Sequence, residues 1–195
     1  GLYRMETEKR AYAFTQFEAI DGRKAFPCWD EPSFKQPFQL RLTVRDSDEA
    51  VTNTPSSETT RANGWKTIEF AKTKPLPVYL VAIAVGPMDS IPVEGLSITG
   101  RIYTPHGQEE LASLAATLVA PILKEQERWF GMKYPYEKLD FIAIPEYWPG
   151  AMEHPGAVTF ADTLMLLDPK RASPNQRRRL AQIIAHEIAH MWFGD

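Results

Sequence analysis

The sequence predicts an α+β protein, with strands through roughly the first hundred residues and helices set among shorter strands in the remainder. Three observations carry this. Phe38, Leu40, Leu42 and Val44 alternate with Gln39, Arg41, Thr43 and Arg45, the period-2 pattern of a strand with one buried and one wet face. Leu111, Leu114, Ala115, Leu118, Val119 and Ile122 instead follow helical spacing, as do Leu180, Ile183, Ile184 and Ile188. The change of period falls after Tyr103-Thr104-Pro105, so the predicted domains are 1–100, mostly β, and 101–195.

Along the chain, the strand at Phe38 is followed by a polar stretch from Thr52 to Gly64. That stretch ends in Asn63-Gly64, a type I′ turn signal, and leads into a second strand at Trp65–Phe70, so the region reads as a long hairpin. Val78–Val85 is continuously apolar and stops at Gly86-Pro87, as expected of a strand covered on both faces. The helix begun at Leu111 runs to Trp129-Phe130, with Gly131 as its stop and a bend expected at Pro121. Strands are predicted at Leu139–Ile144 and near Ala157–Phe160, on either side of the Pro- and Gly-rich turn Pro145–Gly150. The last helix has a complete start signal: Ser173 as N-cap, Pro174 at the first helical position and Gln176 closing a capping box.

Composition excludes several classes of partner. The 195 residues carry a formal net charge of -3 with both signs interspersed, which provides no single-sign field for nucleic acid or an anionic membrane. Cys28 is the one cysteine, so neither a disulfide framework nor a thiolate metal site is expected. No run approaches membrane-spanning length. The start at Gly1-Leu2-Tyr3-Arg4 reads as a cut within a longer protein, and the compartment stays open.

The chemistry concentrates on the last helix, in His186-Glu187-Ile188-Ala189-His190. Two histidines at i and i+4 project from one helical face and can reach one metal ion, and Glu187 beside them is placed to accept a proton from a metal-activated water. This is the H-E-x-x-H pattern of zinc peptidases. His106 and His154 lack ligand spacing, and Arg177–Arg179 read as a solvated helix face.

Two further segments match in order. Gly150-Ala151-Met152-Glu153-His154 precedes the helix, and Thr15-Gln16-Phe17-Glu18 runs into Arg23-Lys24-Ala25-Phe26-Pro27-Cys28-Trp29-Asp30-Glu31-Pro32. With the last helix, these resemble the M1 family of zinc aminopeptidases, whose patterns are G-A/x-M-E-N and T-Q-F-E…R-R-A-F-P-C-F-D-E-P. The resemblance spans the chain. It implies the later part of an N-terminal β-sandwich or saddle domain, followed by the first half of a thermolysin-like catalytic domain.

It also implies roles. Glu187 would be the catalytic base, and His186 and His190 zinc ligands for one Zn2+. Glu153 and Glu18 would hold the α-ammonium of peptides with a free N-terminus. Gln16 would line the first specificity pocket, and Gly150, Ala151 and Met152 would lie along the substrate. The third ligand, a Glu, is expected beyond the C-terminus. On that basis the 195 residues alone are expected to bind zinc weakly or not at all and to be inactive. Ile184, Ile188, Trp192 and Phe193 are expected to be partly exposed there and to favour self-association. One branch of the family also hydrolyses an epoxide. The chief departure is His154 where Asn is usual, a titratable ring expected beside the substrate backbone; Gly22, Lys24 and Trp29 are milder ones.

Overall fold

Alternating and β-branched residues in the first eighty-odd positions pair into two antiparallel sheets in the computed structural model, which describes residues 1–194. The chain divides into two compact units, Gly1–Met88 and Asp89–Asp195. The strands of the first are β1 (Leu2–Thr7), β2 (Arg10–Thr15), β3 (Arg41–Arg45), β4 (Glu49–Thr52), β5 (Ser56–Ala62), β6 (Trp65–Phe70) and β7 (Ile83–Gly86). One sheet has the order β1-β2-β7-β4 and the other β3-β6-β5. Val44, Ile68 and Phe70 of the second sheet bury themselves with Ala50 and Val85 of the first.

The turn signal at Asn63-Gly64 is realised, with φ of +52° and +79° joining β5 to β6. The hairpin partner of Trp65–Phe70 is therefore β5, and the strand expected around Phe38 pairs with the other edge of β6 as β3. β5 itself, Ser-Ser-Glu-Thr-Thr-Arg-Ala, is exposed at every residue and so shows no apolar alternation.

The run Val78–Val85 is not one strand. Val78–Leu80 forms a 3-10 turn, and only Ile83–Gly86 joins a sheet. Between them, buried side chains take the place of ladder partners. Asn53 accepts from the Ala82 amide and donates to the Leu80 carbonyl, both at 2.9 Å, and the Thr15 hydroxyl accepts from the Ile83 amide at 2.8 Å. A buried turn is as apolar as a buried strand, so the sequence pattern alone cannot separate them.

In the second unit, β8 (Met88–Pro92), β9 (Arg101–Pro105), α1 (Ser113–Phe130), β10 (Asp140–Ile144), β11 (Ala151–Met152), β12 (Ala157–Ala161), the one-turn α2 (Asp162–Met165) and α3 (Pro174–Ala189) follow in order. The sheet order is β11-β12-β10-β9-β8, with β10 parallel to both β9 and β12 and β11 an antiparallel edge. Every residue of β10 and β12 is buried, as expected of strands covered on both faces.

Helix α1 stays continuous through Pro121 and stops at Gly131, which takes φ +67°. Its core face meets Leu180, Ile184 and Ile188 of α3 and Met191, two residues past that helix, in one cluster with Phe141, Val158 and Phe160. Ile184 and Ile188, expected to be partly exposed, are instead fully buried because this sheet and α1 cover them. Trp192 stacks on Phe130 with ring centroids 5.0 Å apart, and only Phe193 of the four is exposed. Among the described residues, no helix is long and apolar enough to cross a membrane.

Candidate active site

The last helix begins where its signals indicate. Ser173 accepts from the Gln176 amide at 3.2 Å, and the Gln176 side chain accepts from the Ser173 amide at 2.9 Å. From that start, helical spacing divides α3 into a core face and a face that carries the candidate chemistry. The core face is pinned near the site, since Gln126 of α1 donates to the Ala185 carbonyl at 2.6 Å.

On the other face, the Nε2 atoms of His186 and His190 lie 3.2 Å apart. Two imidazole nitrogens bound to one tetrahedral zinc at about 2.0–2.1 Å each would stand about 3.3 Å apart. The spacing of the pair therefore matches that of two nitrogen ligands on one metal ion. The Nδ1 of His190 faces the Phe193 carbonyl at 3.1 Å, which favours the tautomer that leaves Nε2 free to ligate.

Glu187 is buried, with 5% of its surface exposed, and a carboxylate oxygen of Glu187, one of Glu153 and a ring nitrogen of His190 all lie within 4.8 Å of one another. Glu187 and His190 are i,i+3 neighbours on α3, so their approach is local. Glu153 arrives by another route, just past the edge strand β11, whose Met152 pairs with Thr159 of β12. The turn before it holds Glu146 at φ +51° and Gly150 at +89°, and the Gly150 carbonyl accepts from the Ala161 amide at 2.6 Å. A side chain at position 150 would be strained in that conformation.

His154 does not stand beside the substrate path as a titrating ring. It is fully buried, and burial pushes its pKa down to about 3, so the ring is neutral at ordinary pH. Its Nδ1 meets the Thr159 hydroxyl at 3.2 Å, and that hydroxyl also meets the Tyr147 hydroxyl at 3.0 Å. Its Nε2 is buried with no hydrogen-bond partner among the described residues. A second buried group fixes the far end of the same segment. Lys138 donates to Asp140 at 2.6 Å and to the Gly156 carbonyl at 2.8 Å, while Asp140 accepts from the Arg101 amide at 2.9 Å. Burial lowers the Lys138 pKa, and the Asp140 carboxylate opposes that shift.

A groove of about 440 Å³ opens beside His186, between Gly150 and Ala151 on one side and Arg179, Gln182, His186 and Glu187 on the other. Met152, in contrast, is buried. Arg179 is exposed, as the solvated helix face predicts, and its spacing of seven residues from His186 also puts it on the helical stripe that lines this groove. In the first unit, Gln16 is buried just after β2, and Glu18, two residues on, is exposed. Asp30 of the same motif is buried and accepts from the Arg23 amide at 3.0 Å, a structural clasp of that unit.

Residues 1–80 match the model described as "Peptidase M1 N-terminal domain", and residues 114–195 match "Peptidase family M1 domain". The chain belongs to the M1 peptidase family. Its M1 N-terminal domain is followed by the start of the M1 catalytic domain, in keeping with the α+β architecture.

Among its M1 relatives, Aminopeptidase M1-A of Oryza sativa subsp. japonica is 39% identical over 199 residues, covering 100% of this chain and 22% of the relative. Aminopeptidase N of Acetobacter pasteurianus is 38% identical over 190 residues, covering 96% of this chain and 54% of the relative. Puromycin-sensitive aminopeptidase of Caenorhabditis elegans is 40% identical over 204 residues, covering 100% of this chain and 21% of the relative. The chain thus spans about a fifth of the length of the plant and nematode M1 proteins and about half of the bacterial one.

Proposed function

We propose that these residues form part of a zinc-dependent aminopeptidase, which removes N-terminal residues from peptides with a free α-amino group. The observation that supports this most is the 3.2 Å approach of the two Nε2 atoms, with the buried Glu187 between them in sequence and Glu153 within 4.8 Å of Glu187 and His190. Zinc, when bound, would polarise the scissile carbonyl and acidify a water molecule. Glu187 takes the proton from the attacking water and passes it towards the leaving amine. Its burial keeps that carboxylate in a defined position and strengthens its electrostatics.

Glu153 supplies the exopeptidase restriction. A carboxylate at this distance from the reacting centre pairs with an α-ammonium through charge-assisted hydrogen bonds, which a blocked terminus cannot make. Glu18 is proposed as a second carboxylate of that anchor, Gln16 as a lining of the first specificity pocket, and Gly150 and Ala151 as backbone partners of an extended substrate. A catalytic zinc normally has three protein ligands. We therefore propose that the 195 residues by themselves bind zinc weakly and do not turn over.

The test compares a free peptide with its N-acetylated form, using the whole protein loaded with zinc. The free peptide should be cleaved by at least about 10²-fold better in kcat/KM, and Glu153→Ala should remove most of that difference. Equal cleavage of both forms by the unaltered protein would make it an endopeptidase and end this assignment.

A further inference from the structure

Among the described residues, Arg179 is the one Lys or Arg that lines the groove of the candidate site. Arg179, Gln182, Ile183 and His186 recur at i, i+3, i+4 and i+7, so they form one stripe of α3, and all four line the groove beside Gly150 and Ala151. Its neighbour Arg177 is committed elsewhere, donating to the Ala172 carbonyl at 3.2 Å and also to that of Pro169. The guanidinium of Arg179 is exposed and, among the described residues, makes no ion pair or hydrogen bond.

Its position relative to the anchor gives the groove a direction. Glu153 approaches Glu187 and His190, at the C-terminal end of the helix. Arg179 lies the other way, about 10 Å along the axis from His186 at 1.5 Å of rise per residue. A peptide held by its ammonium at Glu153, with its first carbonyl at the histidines, lays its later residues towards Arg179 when it continues along this groove. At about 3.3 Å per extended residue, that distance corresponds to roughly three residues.

We propose that Arg179 is a specificity residue that binds a carboxylate on the leaving side of the substrate, two to three residues beyond the cleaved bond. The carboxylate can be an acidic side chain or the C-terminus of a short peptide; both present the two oxygens that a planar guanidinium recognises. This rests on the aminopeptidase reading above, and the experiment separates the two.

The whole protein, loaded with zinc, is assayed on amidated pentapeptides of fixed N-terminal residue with Glu, Gln or Lys at position three or four. A parallel arm uses a tetrapeptide ending in a free carboxylate or an amide. The readout is the ratio of kcat/KM for the charged and neutral member of each pair, which does not depend on how much of a variant is folded. The unaltered protein should favour the carboxylate by about fivefold, mainly through KM and less at high salt, as a half-exposed charge pair does. Preference in the pentapeptide arm identifies a side-chain carboxylate, and preference only in the tetrapeptide arm identifies the terminus. Arg179→Gln should bring the ratio close to one, and Arg179→Glu should turn the preference towards Lys. Ratios near one in the unaltered protein, or ratios unmoved by both substitutions, would overturn this role for Arg179 while leaving the aminopeptidase intact. Failure to cleave any of these free-amine peptides would instead defeat the aminopeptidase reading, and this one with it.

Discussion

Helix α3 and the segment from Pro145 to Ala161 both supply groups to the candidate site, but they are held by different kinds of force. The histidines of α3 are positioned by helical geometry: a capping box starts the helix, and four residues later along one face the second ring follows the first. Glu153 depends on contacts remote in sequence. The segment that carries it is a two-residue edge strand on β12, and Lys138 and Thr159 bind its flanks from within the fold. A site assembled this way pairs a part that forms with its own helix and a part that exists only once the sheet does.

Substitutions can break that comparison at either end. The largest effect is expected at the reacting carboxylate, where Glu187→Gln in the whole protein should lower kcat by about 10² to 10⁴ while metal content is kept. Near-normal kcat with zinc retained, measured alongside metal analysis, would remove Glu187 from the role of base. The next largest is at the packing beneath it. Ile184 and Ile188 are fully buried, so Ile184→Ala should cost about 2–5 kcal/mol in denaturant unfolding. A change under 1 kcal/mol, roughly, would mean that the face is less well covered than it stands here.

The non-local segment is probed by pH. An unfolded histidine titrates near about 6.5, whereas burial holds His154 near 3 in the fold. Below about 6.5 the unfolded chain therefore binds a proton that the folded one refuses. The contribution of a neutral His154 is complete above that pH and is lost as pH falls, at about 1.4 kcal/mol per unit until the folded pKa is approached. His154→Asn should flatten this dependence between pH 6 and 4, roughly, in unfolding experiments. Parallel curves for the two proteins would show that the ring protonates in the fold. The smallest effect belongs to the local part. Ser173→Ala removes a cap and should cost about 1 kcal/mol. A comparison of amide exchange in the first turn of α3 and in β11 would show whether that loss stays confined to the helix.

The same division explains what was legible in the sequence. The start of α3, the stop of α1 at Gly131 and the turn at Asn63-Gly64 each rest on a few adjacent residues, and each takes the form those residues indicate. β5 left no trace because all seven of its residues face solvent, so pairing with β6 rather than burial makes it a strand. Val78–Val85 misled for the opposite reason: burial is uniform while Asn53 and Thr15 interrupt the ladder from far along the chain. At the site, the spacing of His186 and His190 accounts for their convergence. The approach of Glu153 was readable only through the family resemblance, since nothing in its own neighbourhood points towards Glu187 and His190, which lie 34 and 37 residues on. The place of Arg179 lay in plain helical arithmetic, hidden by two adjacent arginines of ordinary surface character.

The Thr159 hydroxyl stands between two partners, Tyr147 and His154, yet it owns a single hydrogen. If that hydrogen points to the ring, His154 accepts at Nδ1 and carries its own proton on Nε2, and Tyr147 must donate to Thr159. If the hydrogen points to Tyr147, the ring donates from Nδ1 instead. The orientation of one buried hydroxyl rotor thus selects the tautomer of the residue next to Glu153, and the three groups switch as one ordered chain.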